Sequence, residues 1–184
     1  MSSGTVVALR PTWDEIWMQV AHVIAQRSLC DRDQVGAVVA STSNRIVDTG
    51  YNGPPRGMPR DEPETGCKSW CPRARGPACD NYEIHPPHGN CAGWPGLHYA
   101  YGDCHSVHAE ANALLFGDRT QREGGTIYIT SGVCGACAKL IANSGLKRVV
   151  CDVGNSPPYA GHRNSGEWFA WLRLCGVECV EVGR

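Results

Sequence analysis

Eleven cysteines in 184 residues constrain this chain more than any other feature. An odd number cannot pair completely, and disulfides persist only where the surroundings are oxidising. Residues 1–11 hold no cationic stretch ahead of an apolar core, which argues against a secretory signal. The longest apolar runs, such as residues 35–40, fall far short of the roughly 20 residues that a bilayer span requires. The expected setting is therefore a reducing cytoplasm with no membrane partner, where thiols serve metals or catalysis. Seven histidines accompany the cysteines, and the two residue types crowd between Cys67 and Cys137. Zinc is the first candidate to bind them.

Composition changes abruptly between residues 53 and 104. These 52 residues carry 8 of the 22 glycines and 9 of the 12 prolines, with Ile84 and Leu97 as their only branched aliphatics. No core can be assembled from that, and a loop this long inside one domain needs another source of order. Cys67, Cys71, Cys79, Cys91, Cys104, His85, His88 and His98 supply it, because metal crosslinks can replace hydrophobic burial.

Outside this insert the pattern is that of a single domain spanning residues 1–184. Thr12-Trp13-Asp14-Glu15 reads as a capping box after Pro11. Trp13, Ile16, Trp17, Val20 and Ile24 recur at helical spacing, which predicts a buried helix ending near Leu29. Residues 35–40 and 45–49 predict a hairpin around a Ser/Thr/Asn turn. After the insert come a helix at about 108–116, a strand at 126–130, a helix from Cys134 stopped by Asn143-Ser144-Gly145, and a strand at 148–151. A helix at 167–175 and a strand at 177–182 complete the chain. Strands alternating with helices after an opening hairpin imply an α/β fold, a mixed sheet sandwiched by helices.

The chemistry concentrates in His108-Ala109-Glu110, followed 24 residues after Glu110 by Cys134-Gly135-Ala136-Cys137. One imidazole and two thiolates make three ligands for a tetrahedral zinc and leave the fourth position open, as in a catalytic site. Both cysteines are expected in the first turn of a helix, where the positive end of the dipole favours the thiolate. Glu110, two residues past His108, is placed beside the open position rather than on the metal, as a group that moves protons. His-x-Glu with a later Pro-Cys-x-x-Cys, matched here in all but the proline, is the signature of zinc base deaminases, which act at C4 of cytosine or C6 of adenine. A lone Cys-x-x-Cys would equally suit a zinc knuckle or two small buried hydrophobes; His108 and Glu110 are what favour an enzyme. Cys151, Cys175 and Cys179 are expected to be packed in the interior, and His22 and His162 to be surface or satisfied core residues.

With these motifs the sequence resembles the deoxycytidylate (dCMP) deaminase family of the cytidine deaminase superfamily. Arg27-Ser28-Leu29-Cys30-x-Arg32-x-x-Val35-Gly36-Ala37-Val38-Val39 is similar to its first helix end and strand. Gly50-Tyr51-Asn52-Gly53-Pro54-Pro55-Arg56-Gly57 is similar to its Gly-Tyr-Asn-Gly-x-Pro-x-Gly loop, and residues 108–115 to its His-Ala-Glu-x-Asn-Ala helix. The likeness covers roughly residues 13–151, part of the insert excepted. It implies a three-layer α/β/α cytidine deaminase-like fold with a five-stranded mixed sheet, a homo-oligomer, and conversion of dCMP to dUMP. It also implies Asn52 as a contact to the sugar hydroxyl, the Ala109 amide facing the pyrimidine carbonyl, and Ser131 beside the substrate. Some members hold a further, structural zinc, for which Cys30, Cys67, Cys71 and Cys104 occupy matching regions. Cys79, His85, His88, Cys91 and His98 are left for a third site. Two departures stand out: Val133 occupies the place of the proline usual before the first cysteine, and residues 152–155 lack the aromatic often found over the nucleotide, with Tyr159 the nearest substitute.

Alternatives remain within the same chemistry: a tRNA or DNA base deaminase, or a deaminase of a modified cytosine nucleotide. A zinc-stabilised binding module is the non-enzymatic one, and it gives Glu110 no role. The formal charge of −1, with five Lys/Arg against six Asp/Glu in the insert, disfavours a nucleic-acid partner and favours a small nucleotide. Arg32 and Arg56 are the candidates for its phosphate, with Arg27 and Arg60 behind them. Because the insert cannot order itself by burial, elemental analysis of the folded protein is expected to return at least two zinc ions per chain; a value of one in an active preparation would refute the structural site.

Overall fold

Helix α1 (Trp13–Ala25) starts on the expected capping box: Thr12 Oγ1 accepts from the Glu15 amide at 3.2 Å, and Glu15 Oε2 accepts from the Thr12 amide at 2.6 Å. The structure, a computed structural model, describes residues 10–30, 33–57, 106–154 and 165–183. The helix stops short of Leu29 because the amides of Gln26, Arg27 and Ser28 turn back onto the carbonyls of Val23, Ile24 and Ala25, three residues earlier in each case. Its buried stripe is Trp17, Met18, Ala21 and Ala25, rotated from the expected one, and Trp13 stays 46% exposed. Two alanines at the contact let the helix sit close to the sheet.

That sheet has five strands: β1 (Gly36–Ala40), β2 (Ile46–Tyr51), β3 (Thr126–Ile129), β4 (Arg148–Asp152) and β5 (Glu178–Val182), in the order β2-β1-β3-β4-β5. β1 runs antiparallel to both β2 and β3, whereas β3, β4 and β5 are parallel. Helices α2 (Ala109–Phe116), α3 (Arg119–Arg122), α4 (Gly135–Ala142) and α5 (Ser165–Leu174) fill the connections, α4 and α5 being the crossovers that parallel strands require. The short α3 was not expected from the sequence; it is one turn held by the Asp118 side chain, which accepts from the Thr120 amide at 2.7 Å.

Strand alternation divides the core in two. Ala37, Val39, Ile127, Ile129, Val149 and Cys151 face α2, α4 and α5, together with Phe169 and Leu172. Val38, Ala40, Tyr128 and Val150 face α1. Helices thus cover both faces of a mixed sheet, the expected three-layer arrangement. β2 runs on to Tyr51, and Gly50 within it meets α2 so closely that a methyl group there would lie 2.2 Å from the Ala109 carbonyl oxygen.

Polar contacts fix α1 along β4. Arg148 donates to both carboxylate oxygens of Asp14 at 2.7 Å, and Tyr128 Oη donates to Asp14 Oδ1 at 2.9 Å. Eight residues further along the helix, His22 Nε2 lies 3.0 Å from Asp152 Oδ2. Eight helical residues rise about 12 Å and four strand residues about 13 Å, so the two contacts match in spacing and align the helix with the strand. Burial and the Asp14 carboxylate push the Tyr128 phenol up to about 12, which keeps it a donor.

The hydrogen bonds from Arg148 hold the Asp14 carboxyl below its ordinary value, against partial burial, with Tyr128 assisting. A depressed acid stabilises the fold above its unfolded pKa, near 4, and loses that contribution as pH falls through the lower folded value. Asp14→Asn should therefore cost about 1 kcal/mol at pH 7, a bidentate charged contact discounted for its exposure. Urea midpoints should show the deficit shrinking below about pH 4; a pH-independent deficit would remove the charge from this account.

Candidate metal centre and active site

Two helices begin at the same point. His108 is the N-cap of α2, and Cys134 is the N-cap of α4 with an extended backbone (φ −88°, ψ 165°), which places Cys137 in that helix's first turn. Cys134 was expected inside the first turn; it stands one residue ahead of it. Val133, in the proline's place, is fully buried in the core beneath, so packing rather than a ring holds the approach to the helix. His108 Nδ1 lies 3.4 Å from Cys134 Sγ and 3.4 Å from Cys137 Sγ. Tetrahedral zinc with ordinary Zn–N and Zn–S bonds sets such ligand atoms about 3.6 Å apart. The residues therefore fit the ion in both chemistry and spacing, and this is the one such group among the described residues.

The thiols are electrostatically distinct. A hydrogen bond from Cys137, aided by His108 and opposed by burial, draws Cys134 down to about 3. Cys137 is pushed up because it keeps the shared proton, is buried, and faces the Glu110 carboxylate. One proton is thus left between two sulfurs, to be released when a dication takes its place. Glu110 is only 4% exposed and hydrogen-bonded to Cys137, so its carboxylate lies at the ligand set. Its charge also raises the fully buried Cys151 thiol, although desolvation is the larger cause. Ala109 and Ser131 are likewise buried, at the start of α2 and just past β3.

The Asn52 loop is built onto this centre by backbone pairing. Gly53 and Val107 form an antiparallel bridge, with N–H···O distances of 3.1 and 2.8 Å, which ties the residue after Asn52 to the residue before His108. Asn112 Nδ2 donates to the Tyr51 carbonyl at 2.8 Å, locking the same loop to α2. The Asn52 amide spans the backbone opposite: Oδ1 accepts from the Val35 amide and Nδ2 donates to the Asp33 carbonyl, both at 2.8 Å. Ser28 Oγ donates to the Asn52 carbonyl at 2.8 Å. The side chain is therefore a brace, with one Nδ2 hydrogen and one Oδ1 lone pair still to offer.

Among the described residues, no other expected ligand joins this group. Arg56 is exposed on the loop, and Cys30 is a half-buried free thiol. Arg32, Arg60, Cys67, Cys71, Cys79, His85, His88, Cys91, His98, Cys104, Tyr159 and His162 lie outside the described residues. Cys151 is buried as expected and Cys179 partly so, but Cys175 is exposed, because α5 has left the core by its last turn. His22 is satisfied by Asp152. The Asn112 clamp and the burial of Val133 were missed; each depends on a partner distant in sequence, and no local pattern signals it.

Residues 11–153 match the family described as the cytidine and deoxycytidylate deaminase zinc-binding region. A deoxycytidylate deaminase of Mycobacterium phage D29 is 44% identical over 144 residues, 77% of this chain and 94% of that protein. Another, from Enterobacteria phage T2, is 31% identical over 176 residues, 90% of this chain and 89% of that one. The dCMP deaminase of cyanophage S-TIM5, solved in complex with dCMP and dUMP, shares the fold with a TM-score of 0.59 at 24% identity, over 95% of this chain and all of that one. With its ligand set, its buried carboxylate and these relatives, the chain belongs to the cytidine and deoxycytidylate deaminase family and is a zinc-dependent deaminase.

Proposed function

We propose that this chain converts dCMP and water to dUMP and ammonia. The observation that carries the reading is the Glu110 carboxylate, buried against Cys137 beside a three-ligand set that fits zinc, in a chain 44% identical to a phage deoxycytidylate deaminase. Bound zinc supplies Lewis acidity that makes water reactive near neutral pH. Glu110 takes a proton from the attacking water and passes it to the ring nitrogen beside C4, then takes the proton of the new C4 hydroxyl and delivers it to the departing amine. The C4–N bond breaks as the new C4–O bond becomes the uracil carbonyl. Burial keeps bulk water from competing for these protons.

In this reading the Ala109 amide faces the pyrimidine carbonyl, Ser131 borders the base, and Asn52 offers its remaining Nδ2 hydrogen to the sugar hydroxyl. Bracing by Asp33 and Val35 holds Asn52 ready, so little side-chain entropy is lost on binding. Arg56 and Arg32 are assigned to the 5′-phosphate, a planar fork suiting its oxygens. The near-neutral charge of the chain supports a small nucleotide over a polymer.

Glu110→Gln should fold and keep zinc while losing on the order of a hundredfold or more in turnover; near wild-type rates in the zinc-loaded variant would remove Glu110 from the proton path. Initial rates on deoxycytidine, dCMP, dCTP and a cytosine-containing oligonucleotide test the substrate. A charged phosphate contact contributes about 1.5–3 kcal/mol, so dCMP should be used at least about tenfold better than deoxycytidine. Equal rates would delete the phosphate site, and preference for the oligonucleotide would make this a base deaminase of nucleic acid.

A further inference from the structure

Helix α5 lies beyond residues 11–153, the span that matches the family, yet it reaches the metal centre. A methyl group on Gly135 would lie 2.3 Å from Cζ2, 2.7 Å from Cε2 and 2.8 Å from Cη2 of Trp168. Gly135 is the first residue of α4, between Cys134 and Cys137. The indole therefore lies flush against the turn that carries both sulfur ligands, in space that any other residue would fill. Its position is held from behind: Trp171 packs edge-on at 6.1 Å between centroids, and the neighbouring Phe169 and Leu172 are fully buried. Ala136, the other residue between the cysteines, is exposed, so Trp168 covers one side of a turn whose other side meets solvent.

We propose that Trp168 is a positioning residue for the metal centre, clamping the Cys134–Cys137 turn through Gly135 and thereby slowing loss of the ion. Two physical effects combine. A rigid ring against the turn fixes the separation of the sulfurs, which tetrahedral coordination requires. The same ring also excludes water from one flank, which strengthens thiolate–cation attraction and hinders solvent or chelator from reaching the sulfurs. The inference rests on the His108, Cys134 and Cys137 ligand set and not on the identity of the substrate.

Zinc release from the holoenzyme to an excess of a chromogenic chelator tests this, with urea midpoints measured in parallel. Trp168→Ala should release zinc at least tenfold faster than the unaltered protein. Met18→Ala, which removes core packing on the opposite face of the sheet, should lower the urea midpoint yet release zinc within about twofold of the unaltered rate. Gly135→Ala supplies a change of sign. Alanine favours a helix over glycine, so without the clamp it should slow release. Against Trp168 its methyl group has no room and should speed release several-fold, whereas in a Trp168→Ala background the same change should slow it. Unchanged release from Trp168→Ala, equal acceleration by Met18→Ala, or slower release from Gly135→Ala alone would each overturn the proposal.

Discussion

The active centre depends on two helix N-termini meeting at one point. The first amides of any helix lack partners within it and leave a positive end, so two such ends converging are a setting for thiolates and a carboxylate. α2 is brought there by its close approach to β2 at Gly50, and α4 by following directly from β3. Without a cation the two thiols are pushed in opposite directions, Cys134 down by its hydrogen bond from Cys137 and Cys137 up by that same bond and by burial. Ion binding replaces that compromise with three bonds, so the energy of metal capture is also energy of folding at this corner.

Two different kinds of bracing serve the two halves of the site. On the metal side the supports are apolar: Val133 beneath the turn, Phe169 and Leu172 behind it, and the indole of Trp168 against it. On the loop side they are polar, with Ser28, Asp33, Val35 and Asn112 all bonded to Tyr51 or Asn52. The division follows from what each must hold. Sulfur ligands need a dry, fixed pair of positions, whereas a loop proposed to meet a hydroxylated sugar must keep hydrogen-bonding groups oriented and available.

What was legible in the sequence was whatever lies close along the chain. Thr12 and Glu15 announced a helix start, and His108, Glu110, Cys134 and Cys137 carry their chemistry in short motifs. The five strands were also legible, because alternating or continuous apolar runs need no knowledge of partners. The rest depends on residues that meet only after folding. The stripe of α1 turned because Ala21 and Ala25, weak signals in any hydrophobic count, make the closest contact. α3 has no apolar repeat to find. Trp168 carries no motif along the chain; only the missing side chain of Gly135 marks its place.

The bridge between Gly53 and Val107 has a bearing on how this protein can vary. The chain departs and returns through one pair of residues joined by two backbone hydrogen bonds. That pair holds the two ends together, much as a clasp holds a strap. The two backbone hydrogen bonds therefore hold Asn52 and His108 in register by a contact that uses no side chain, so that a change of sequence at Gly53 or Val107 leaves the seam's hydrogen bonds in place as long as the backbone can keep its path.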